Sequence, residues 1–168
     1  MVAVILTGFM ATGKTEVGRQ LAARLGAAFV DTDALVESAT GRTVRDIFAQ
    51  DGEPHFRALE REAVERACRM DGVVVATGGG TLLDPENRRR LAAAGPVVCL
   101  TASPEELLRR LGGGADRPLL AGGDRLVRIR ELLASRAEAY AGAAHIIDTT
   151  GLRVDDVVAR VQSLVAGR

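Results

Sequence analysis

Residues 8–15 read Gly-Phe-Met-Ala-Thr-Gly-Lys-Thr and match the P-loop pattern G-x-x-x-x-G-K-T. In this motif, backbone N–H groups surround a polyphosphate, and a lysine ammonium lies beside the β- and γ-phosphates. Lys14 is the only lysine among the 22 lysine and arginine residues of the chain. A compact ammonium fits there and the planar guanidinium of arginine does not. The sequence therefore predicts a nucleoside triphosphate site, and the alternative is that biased codon usage left one lysine here by chance.

The residues on either side of the loop have the pattern that a P-loop needs. Residues 2–6 are an unbroken apolar run, typical of a buried parallel strand, and apolar residues recur at helical spacing over residues 14–25. The phosphates would meet a helix N-terminus, where N–H groups and the helix dipole favour anions, and the Thr15 hydroxyl is placed to bind Mg²⁺. The nucleotide-binding residues predicted in this segment are Gly8, Ala11, Thr12, Gly13, Lys14, Thr15 and Glu16.

Asp31 and Asp33 follow the second predicted strand, at the sheet edge where open parallel sheets bind ligands. Alternate residues of an extended segment point to the same side, so both carboxylates are expected to face the cleft. One would then serve the water shell of the metal and the other a hydroxyl of the phosphoryl acceptor. The alternative is that Asp33 only caps the next helix, which leaves Asp31 unexplained.

A second candidate site combines aromatic, charged and glycine residues. Phe48 and Phe56 lie close in sequence to Arg57, and Glu60 is placed three residues later to orient the arginine. This predicts a small pocket with one anchored cation, with packing of the rings in the core as the alternative. Glycines 78–80 follow the strand predicted at residues 73–76, and three consecutive glycines indicate close approach of another backbone or a ligand.

The alternation of predicted strands and helices favours an α/β doubly wound fold with five strands. The strands are predicted at residues 2–6, 28–30, 73–76, 97–100 and 144–147. The helices are predicted at residues 14–25, 33–39, 43–50, 53–70, 85–94, 104–111, 124–141 and 154–166. The glycine-rich residues 112–123 are predicted to form a mobile lid that excludes water during phosphoryl transfer, and the alternative is an ordinary flexible loop.

Length and composition predict one domain that spans residues 1–168. The formal net charge is zero and no basic tract is interleaved with aromatics, so nucleic acid is not an expected partner. No apolar run or leader predicts a membrane partner, and a cytoplasmic monomer is expected. Cys68 and Cys99 are too few for a disulfide framework, and His55 and His145 have no metal-ligand spacing.

These motifs together resemble the shikimate kinase family, almost from end to end. The residues that carry the resemblance are the P-loop, Asp31-Thr32-Asp33, Ile47-Phe48, Gly52-Glu53, Phe56-Arg57, Gly78-Gly79-Gly80, Arg117-Pro118-Leu119-Leu120, Arg136 and Tyr140. The resemblance implies a nucleoside-monophosphate-kinase-like P-loop fold with a five-stranded parallel sheet. It also implies transfer of a phosphoryl group from ATP to the 3-hydroxyl of shikimate, on the way to chorismate and the aromatic amino acids.

The resemblance also implies individual roles. Lys14, Asp33 and Arg117 are implied as catalytic residues, and Arg117 would close on the ATP phosphates from the lid. Thr15 and Asp31 would serve Mg²⁺. Arg110 and Arg153 match positions near the nucleotide. The implied shikimate contacts are Asp33, Arg57, Gly78, Gly79, Gly80 and Arg136.

Two positions depart from the family pattern. Ala11 stands where glycine is common and is expected to be harmless if its φ is negative, whereas Glu16 is expected to weaken or alter nucleotide affinity. Two other functions remain open at this point. One is another small-metabolite P-loop kinase, such as gluconate kinase, and the other is a non-catalytic P-loop module that binds nucleotide as a switch.

Overall fold

A computed structural model describes residues 1–112, 120 and 123–166. These residues contain a five-stranded sheet with the strand order β2-β3-β1-β4-β5, in which all neighbouring strands are parallel. The strands are β1 (Val4–Gly8), β2 (Ala28–Asp31), β3 (Val73–Ala76), β4 (Val97–Thr101) and β5 (His145–Asp148). The predicted α/β class and the predicted sheet are confirmed. The predicted β1 was wrong by two residues, because the strand begins at Val4 and continues to Gly8.

The helices cover both faces of this sheet. They are α1 (Lys14–Leu25), α2 (Thr32–Thr40), α3 (Val44–Asp51), α4 (Glu53–Cys68), α5 (Pro85–Ala94), α6 (Pro104–Leu111), α7 (Arg125–Ala141) and α8 (Val154–Ala166). Four of them have the predicted bounds, and the others differ by one or two residues at one or both ends. A short 3₁₀ turn at Thr81–Leu83 was not predicted.

Strand β1 lies at the centre of the sheet, and all five of its residues are buried there. It pairs with β3 on one side and β4 on the other, so its C-terminal end opens between two neighbouring strand ends. The residues that follow β1, β2 and β3 meet at this edge, which is where parallel sheets bind ligands. The fold therefore brings the P-loop, the two aspartates and the three glycines together.

The hydrophobic core has one layer on each side of the sheet. One layer contains Phe9, Leu107 and Ile129, and the other contains Val17, Leu21 and Val158. A third, smaller cluster of Val36, Ile47, Phe56 and Ala63 joins α2, α3 and α4. This cluster fixes the helical wall that faces the candidate site.

The predicted lid at residues 112–123 falls largely outside the described residues, and so does Arg117. Within it, Leu120 is described and is buried against the core layer that contains Phe9. The prediction of a lid therefore stays a prediction. Among the described residues, no helix is long and apolar enough to cross a membrane.

Candidate active site

The P-loop connects β1 to α1 and is shaped by two glycines. A Cβ atom at Gly8 would lie 2.1 Å from the carbonyl oxygen of Leu100, so the close approach of β4 requires glycine there. Gly13 caps α1 with a φ of 95°, in the region that favours glycine. The ammonium of Lys14 donates hydrogen bonds to the carbonyl oxygens of Gly8 at 2.9 Å and Phe9 at 2.8 Å. The loop is thus closed around its lysine, and the free N–H groups of α1 follow directly.

Ala11 has a φ of 62° and is the only non-glycine residue with positive φ among those described. The condition under which Ala11 was expected to be harmless, a negative φ, is therefore not met. A left-handed conformation brings Cβ close to the following carbonyl oxygen and costs about 1–2 kcal/mol for a residue other than glycine. The P-loop therefore contains backbone strain at Ala11.

We expect Ala11→Gly to stabilise the protein by about 0.5–1 kcal/mol, because glycine relieves the strain but gains freedom in the unfolded chain. The midpoint of thermal unfolding should rise by about 1–4 °C. The matched control is Ala23→Gly on the exposed face of α1, where helical backbone makes glycine destabilising by about 1 kcal/mol. A lower midpoint for Ala11→Gly than for wild type would contradict the interpretation of strain.

Glu16 lies in the first turn of α1 and is exposed. Its carboxylate accepts a hydrogen bond from Gln20 Nε2 at 2.9 Å. A carboxylate in the first turn of a helix interacts favourably with the helix dipole. The predicted weakening of nucleotide affinity stays a prediction.

Thr15 and Asp31 bring two oxygen ligands together at the start of α1. The Thr15 hydroxyl lies 3.4 Å from Asp31 Oδ2. The other carboxylate oxygen of Asp31 caps α2, because it accepts from the backbone N–H groups of Asp33 at 2.8 Å and Ala34 at 3.4 Å. The alternative in which Asp33 caps the helix was therefore wrong, since Asp31 is the cap and keeps one oxygen for the cleft.

Asp33 reaches the cleft by a different route from the one predicted. Strand β2 ends at Asp31 and α2 begins at Thr32, so the two aspartates are not alternate residues of an extended segment. Asp33 Oδ1 is buried and no described residue donates a hydrogen bond to it. Burial raises the pKa of Asp33 to about 6, with the Asp31 and Glu60 carboxylates acting in the same direction and Lys14 and Arg57 opposing them. A carboxylate with an unused acceptor thus faces the cleft.

Arg57 is held by two carboxylates on its own helix, as the sequence predicted for Glu60. Its Nη1 donates to Glu60 Oε2 at 2.8 Å, and its Nη2 lies 3.2 Å from Glu53 Oε1. Glu60 is 1% exposed, so its charge depends on the guanidinium for compensation. Glu60 also helps to raise the pKa of Arg57 against the effect of burial.

The two phenylalanine rings serve both purposes that the sequence left open. Phe48 and Phe56 have ring centroids 4.7 Å apart, and the Arg57 guanidinium carbon lies 5.3 Å from the centroid of Phe56. Phe56 belongs to the third core cluster. Both rings also line a cavity of about 480 Å³ together with Asp33, Arg57 and Arg136. This cavity is the predicted pocket.

The three glycines after β3 form one wall of this cavity, because side chains converge on them. A Cβ atom would lie 2.8 Å from Glu60 Oε1 at Gly78, 3.1 Å from Arg136 Nη1 at Gly79 and 2.3 Å from Arg57 Nη2 at Gly80. None of the three has the positive φ that favours glycine. Close approach of charged side chains therefore explains the glycines, rather than the predicted approach of another backbone or a ligand, and a side chain at residue 80 would displace Arg57.

Arg136 on α7 is 2% exposed and approaches the same cavity. Its Nε and Nη1 are buried with no hydrogen-bond partner among the described residues. Its guanidinium carbon lies 5.5 Å from the centroid of the Phe9 ring. A buried guanidinium with unused donors is costly unless an anion binds to it. Sequence reasoning could name Arg136 from the resemblance but could not show that it is buried.

Tyr140, one turn after Arg136, helps to fix this wall. Its hydroxyl donates to the carbonyl oxygen of Gly79 at 2.6 Å. Burial raises the pKa of Tyr140 to about 12, so the phenol keeps its proton at neutral pH. Tyr140 therefore ties α7 to the glycine segment.

Arg110 lies on the nucleotide side of the P-loop. Its guanidinium donates to the carbonyl oxygen of Ala11 at 3.2 Å and to the hydroxyl and carbonyl oxygens of Thr149 at 3.0 and 2.9 Å. These residues line a second cavity of about 190 Å³. Arg153 is not brought into it, because its side chain is 83% exposed and pairs with Asp156. No sequence pattern indicated Thr149 as the partner of Arg110.

A parallel sheet with a P-loop at its open edge, beside the cavity of about 480 Å³ that Asp33, Arg57 and Arg136 line, defines a small-molecule kinase of the P-loop class. A sequence model of the shikimate kinase family matches residues 10–166 of the chain. The shikimate kinase of Geobacter metallireducens is 52% identical over 98% of this chain and 92% of its own. The shikimate kinase of Symbiobacterium thermophilum is 50% identical over 98% of this chain and 97% of its own.

Solved structures agree with the family. The structure described as "Shikimate kinase from Acinetobacter baumannii in complex with shikimate" has a TM-score of 0.94 and 34% identity, and covers 98% of this chain and 92% of that one. A gluconokinase from Sinorhizobium meliloti has a TM-score of 0.59 at 16% identity, which shows the shared fold alone. The chain belongs to the shikimate kinase family and is an enzyme. The family predicted from its motifs is confirmed, and the gluconate kinase alternative has less support.

Proposed function

We propose that this enzyme transfers the γ-phosphoryl group of ATP to the 3-hydroxyl of shikimate, giving shikimate 3-phosphate and ADP. The observation that carries the proposal is the cavity of about 480 Å³ beside the P-loop, on which Asp33, Arg57 and the buried Arg136 converge. Shikimate has one carboxylate and three hydroxyls. Two cationic side chains and one carboxylate with an unused acceptor are the complement that such a molecule needs.

Arg57 and Arg136 bind the carboxylate of shikimate in this proposal. The unused Nε and Nη1 of Arg136 support this, because an anion would satisfy both donors. The exposed side of Arg57 pairs with Glu53, whose side chain is 46% exposed and can be displaced by a substrate carboxylate. Gly78, Gly79 and Gly80 leave room for the ring, since any side chain on them would meet the arginines or Glu60.

Residues 8–16, which include Lys14, bind the ATP phosphates. Thr15 Oγ1 and Asp31 Oδ2, 3.4 Å apart, are hard oxygen ligands of the kind that Mg²⁺ takes together with water and phosphate. When bound, Mg²⁺ would neutralise charge on the phosphate oxygens.

Asp33 orients the attacking 3-hydroxyl and accepts its proton. Its Oδ1 has no donor among the described residues, and Asp33 lines the cavity. Arg110 holds the P-loop from the nucleotide side, and Arg153 is an outer contact at most, given its exposure. Arg117, outside the described residues, is kept as the lid arginine. We further propose a single domain that acts as a monomer in the cytoplasm.

A coupled assay of ADP release tests the proposal with shikimate and gluconate in parallel. We expect turnover with shikimate only, and phosphorus NMR should place the new phosphate ester on the 3-oxygen. Turnover with gluconate and none with shikimate would show that gluconate, and not shikimate, is the phosphoryl acceptor. ATP binding without transfer to either acid would favour a nucleotide-binding module without catalysis.

Replacing either acceptor arginine should affect shikimate binding more than turnover. Arg57→Ala or Arg136→Ala is expected to raise the KM for shikimate by about 10- to 100-fold, because each loses charge-assisted hydrogen bonds to a carboxylate. The KM for ATP should change little. The measurement is steady-state kinetics with each substrate varied in turn.

Exposed arginines on the same two helices provide the controls. Arg61 on α4 pairs with Asp84, and Arg130 on α7 pairs with Glu105. Arg61→Ala and Arg130→Ala are expected to leave the KM for shikimate within about twofold of wild type, as exposed ion pairs contribute little. An unchanged KM in both Arg57→Ala and Arg136→Ala would refute their role in binding the carboxylate.

A further inference from the structure

Glu60 has a second hydrogen-bond donor that comes from another part of the fold. Thr81, which is fully buried, donates from Oγ1 to Glu60 Oε1 at 2.6 Å. The other oxygen of the carboxylate accepts from Arg57 Nη1 at 2.8 Å. Each oxygen of a buried carboxylate therefore has its own donor, and the two donors come from separate elements.

The position of the Thr81 hydroxyl is fixed by its backbone. Thr81 begins the 3₁₀ turn that follows the glycine segment, and its N–H donates to the carbonyl oxygen of Gly78 at 3.3 Å. Its own carbonyl oxygen accepts from Asn87 Nδ2 at 3.3 Å, and Asn87 on α5 is 1% exposed. A chain of hydrogen bonds thus runs from α5 through Thr81 and Glu60 to Arg57.

The arrangement determines which face of the guanidinium stays available. With Oε1 engaged by Thr81, Glu60 holds Nη1 of Arg57 through Oε2 alone. Arginine and carboxylate prefer to pair through two parallel hydrogen bonds. Without the Thr81 hydroxyl, Oε1 would be left buried without a donor, and its best remaining partner is the same guanidinium. Arg57 would then turn its remaining donors toward Glu60 and away from the cavity.

The same oxygen also lies close to the group that meets the acceptor hydroxyl. Glu60 Oε1, Thr81 Oγ1 and Asp33 Oδ1 lie 2.8, 3.3 and 3.2 Å from the position of a Cβ atom on Gly78, so the three atoms converge on one point. The hydroxyl of Thr81 thus holds a buried negative oxygen beside Asp33 in a fixed place. A Glu60 carboxylate that could rotate would disturb both sides of the acceptor cavity.

We propose that Thr81 is a positioning residue for the acceptor, because its hydroxyl fixes Glu60 and, through Glu60, presents Arg57 to the acceptor carboxylate. This inference rests on the proposed function. It extends the acceptor site by a residue that touches neither substrate.

Thr81→Val is the direct test, since valine keeps the shape of threonine and removes the hydroxyl. We expect the KM for shikimate to rise about tenfold, with kcat and the KM for ATP within about threefold of wild type. Calorimetric titration with shikimate alone should show the same tenfold loss. Thr81→Ser restores the hydroxyl and should return the KM to within about threefold of wild type.

Two further variants separate positioning from simple damage. Thr40 is a half-buried threonine whose hydroxyl donates to the Val36 carbonyl oxygen at 2.9 Å, and Thr40→Val should leave the KM for shikimate unchanged. If Thr81 acts through Glu60, the effects of Thr81→Val and Glu60→Gln are not additive, and adding Thr81→Val to Glu60→Gln should raise the KM by less than about twofold.

The outcomes distinguish this inference from the proposed function. A wild-type enzyme that does not phosphorylate shikimate overturns the proposed function. An active wild type with an unchanged KM for shikimate in Thr81→Val overturns the inference, as does an additive effect in the double variant. Thr81→Ala is made in parallel in case valine prevents folding, and a wild-type KM in whichever variant folds has the same meaning.

Discussion

Lys14→Ala is expected to lower kcat/KM for ATP by on the order of 10³-fold or more. The ammonium would neutralise charge on the β- and γ-phosphate oxygens as the γ-phosphoryl leaves, and removal of one such electrostatic group in an active site commonly costs about 10²–10³ in kcat. Lys14 also donates to the carbonyl oxygens of Gly8 and Phe9, so its loss loosens the loop that surrounds the phosphates. The measurement is steady-state kinetics with ATP varied at saturating shikimate.

Lys14→Arg separates charge from shape. The guanidinium keeps the charge but is larger and planar, and the loop is closed around a compact ammonium. We expect Lys14→Arg to lose most of the activity as well. Arg69→Ala, an exposed side chain at the end of α4, should behave as wild type. A Lys14→Arg enzyme within about tenfold of wild type would contradict the argument that only an ammonium fits.

The sequence was sufficient for the parts of the site that depend on local geometry. The P-loop pattern predicted α1 with its observed bounds, because its glycines and helical periodicity lie within 18 residues. The Arg57–Glu60 pair was predictable because residues three apart lie on one face of a helix. The convergence of β1, β2 and β3 at one edge followed from a parallel sheet.

Other parts depend on contacts between distant residues and could not be predicted. Thr81 and Glu60 are 21 positions apart, and Arg110 and Thr149 are 39 apart, so no local pattern pairs them. The positive φ of Ala11 depends on how the loop is closed. The capping of α2 by Asp31 was missed because the strand ends one residue before the helix begins.

The charges of the acceptor cavity form one system. Asp33 and Glu60 are carboxylates beside the same glycine, while Arg57 pairs with Glu60 and Arg136 has unused donors. Glu60 therefore compensates part of the charge of Arg57 before substrate binds, whereas the unused donors of Arg136 are available to the substrate anion. Asp33 is the carboxylate of this cavity whose Oδ1 is buried without a hydrogen-bond partner among the described residues.

Asp33→Asn is expected to lower kcat/KM for shikimate by on the order of 10³-fold, because the amide cannot accept the proton of the attacking hydroxyl and turns a donor toward it. The KM for ATP should stay within a few-fold of wild type. Asp46→Asn, an exposed carboxylate on α3, is the matched control and should retain full activity. An Asp33→Asn enzyme within about tenfold of wild type would show that Asp33 neither accepts the proton nor orients the hydroxyl.

Asp33→Asn is expected to lower activity but to raise stability, and the pH dependence of wild type and Asp33→Asn tests both effects. The pKa of Asp33 is raised from 3.8 to about 6, so the ionised form that accepts a proton is lost as pH falls through about 6. Wild-type kcat/KM for shikimate should fall over that range, and the residual activity of Asp33→Asn should not.

Because the pKa of Asp33 is higher in the folded state than in the unfolded state, protonation stabilises the folded state as pH falls from about 6 toward 4, and the buried charge destabilises it above pH 6. Asp33→Asn should therefore raise the free energy of unfolding at pH 7.5 by on the order of 1–3 kcal/mol, and the gain should shrink as pH falls below about 6. Thermal unfolding of both proteins at pH 5 and 7.5 measures it, and a lower midpoint for Asp33→Asn at pH 7.5 would contradict the raised pKa.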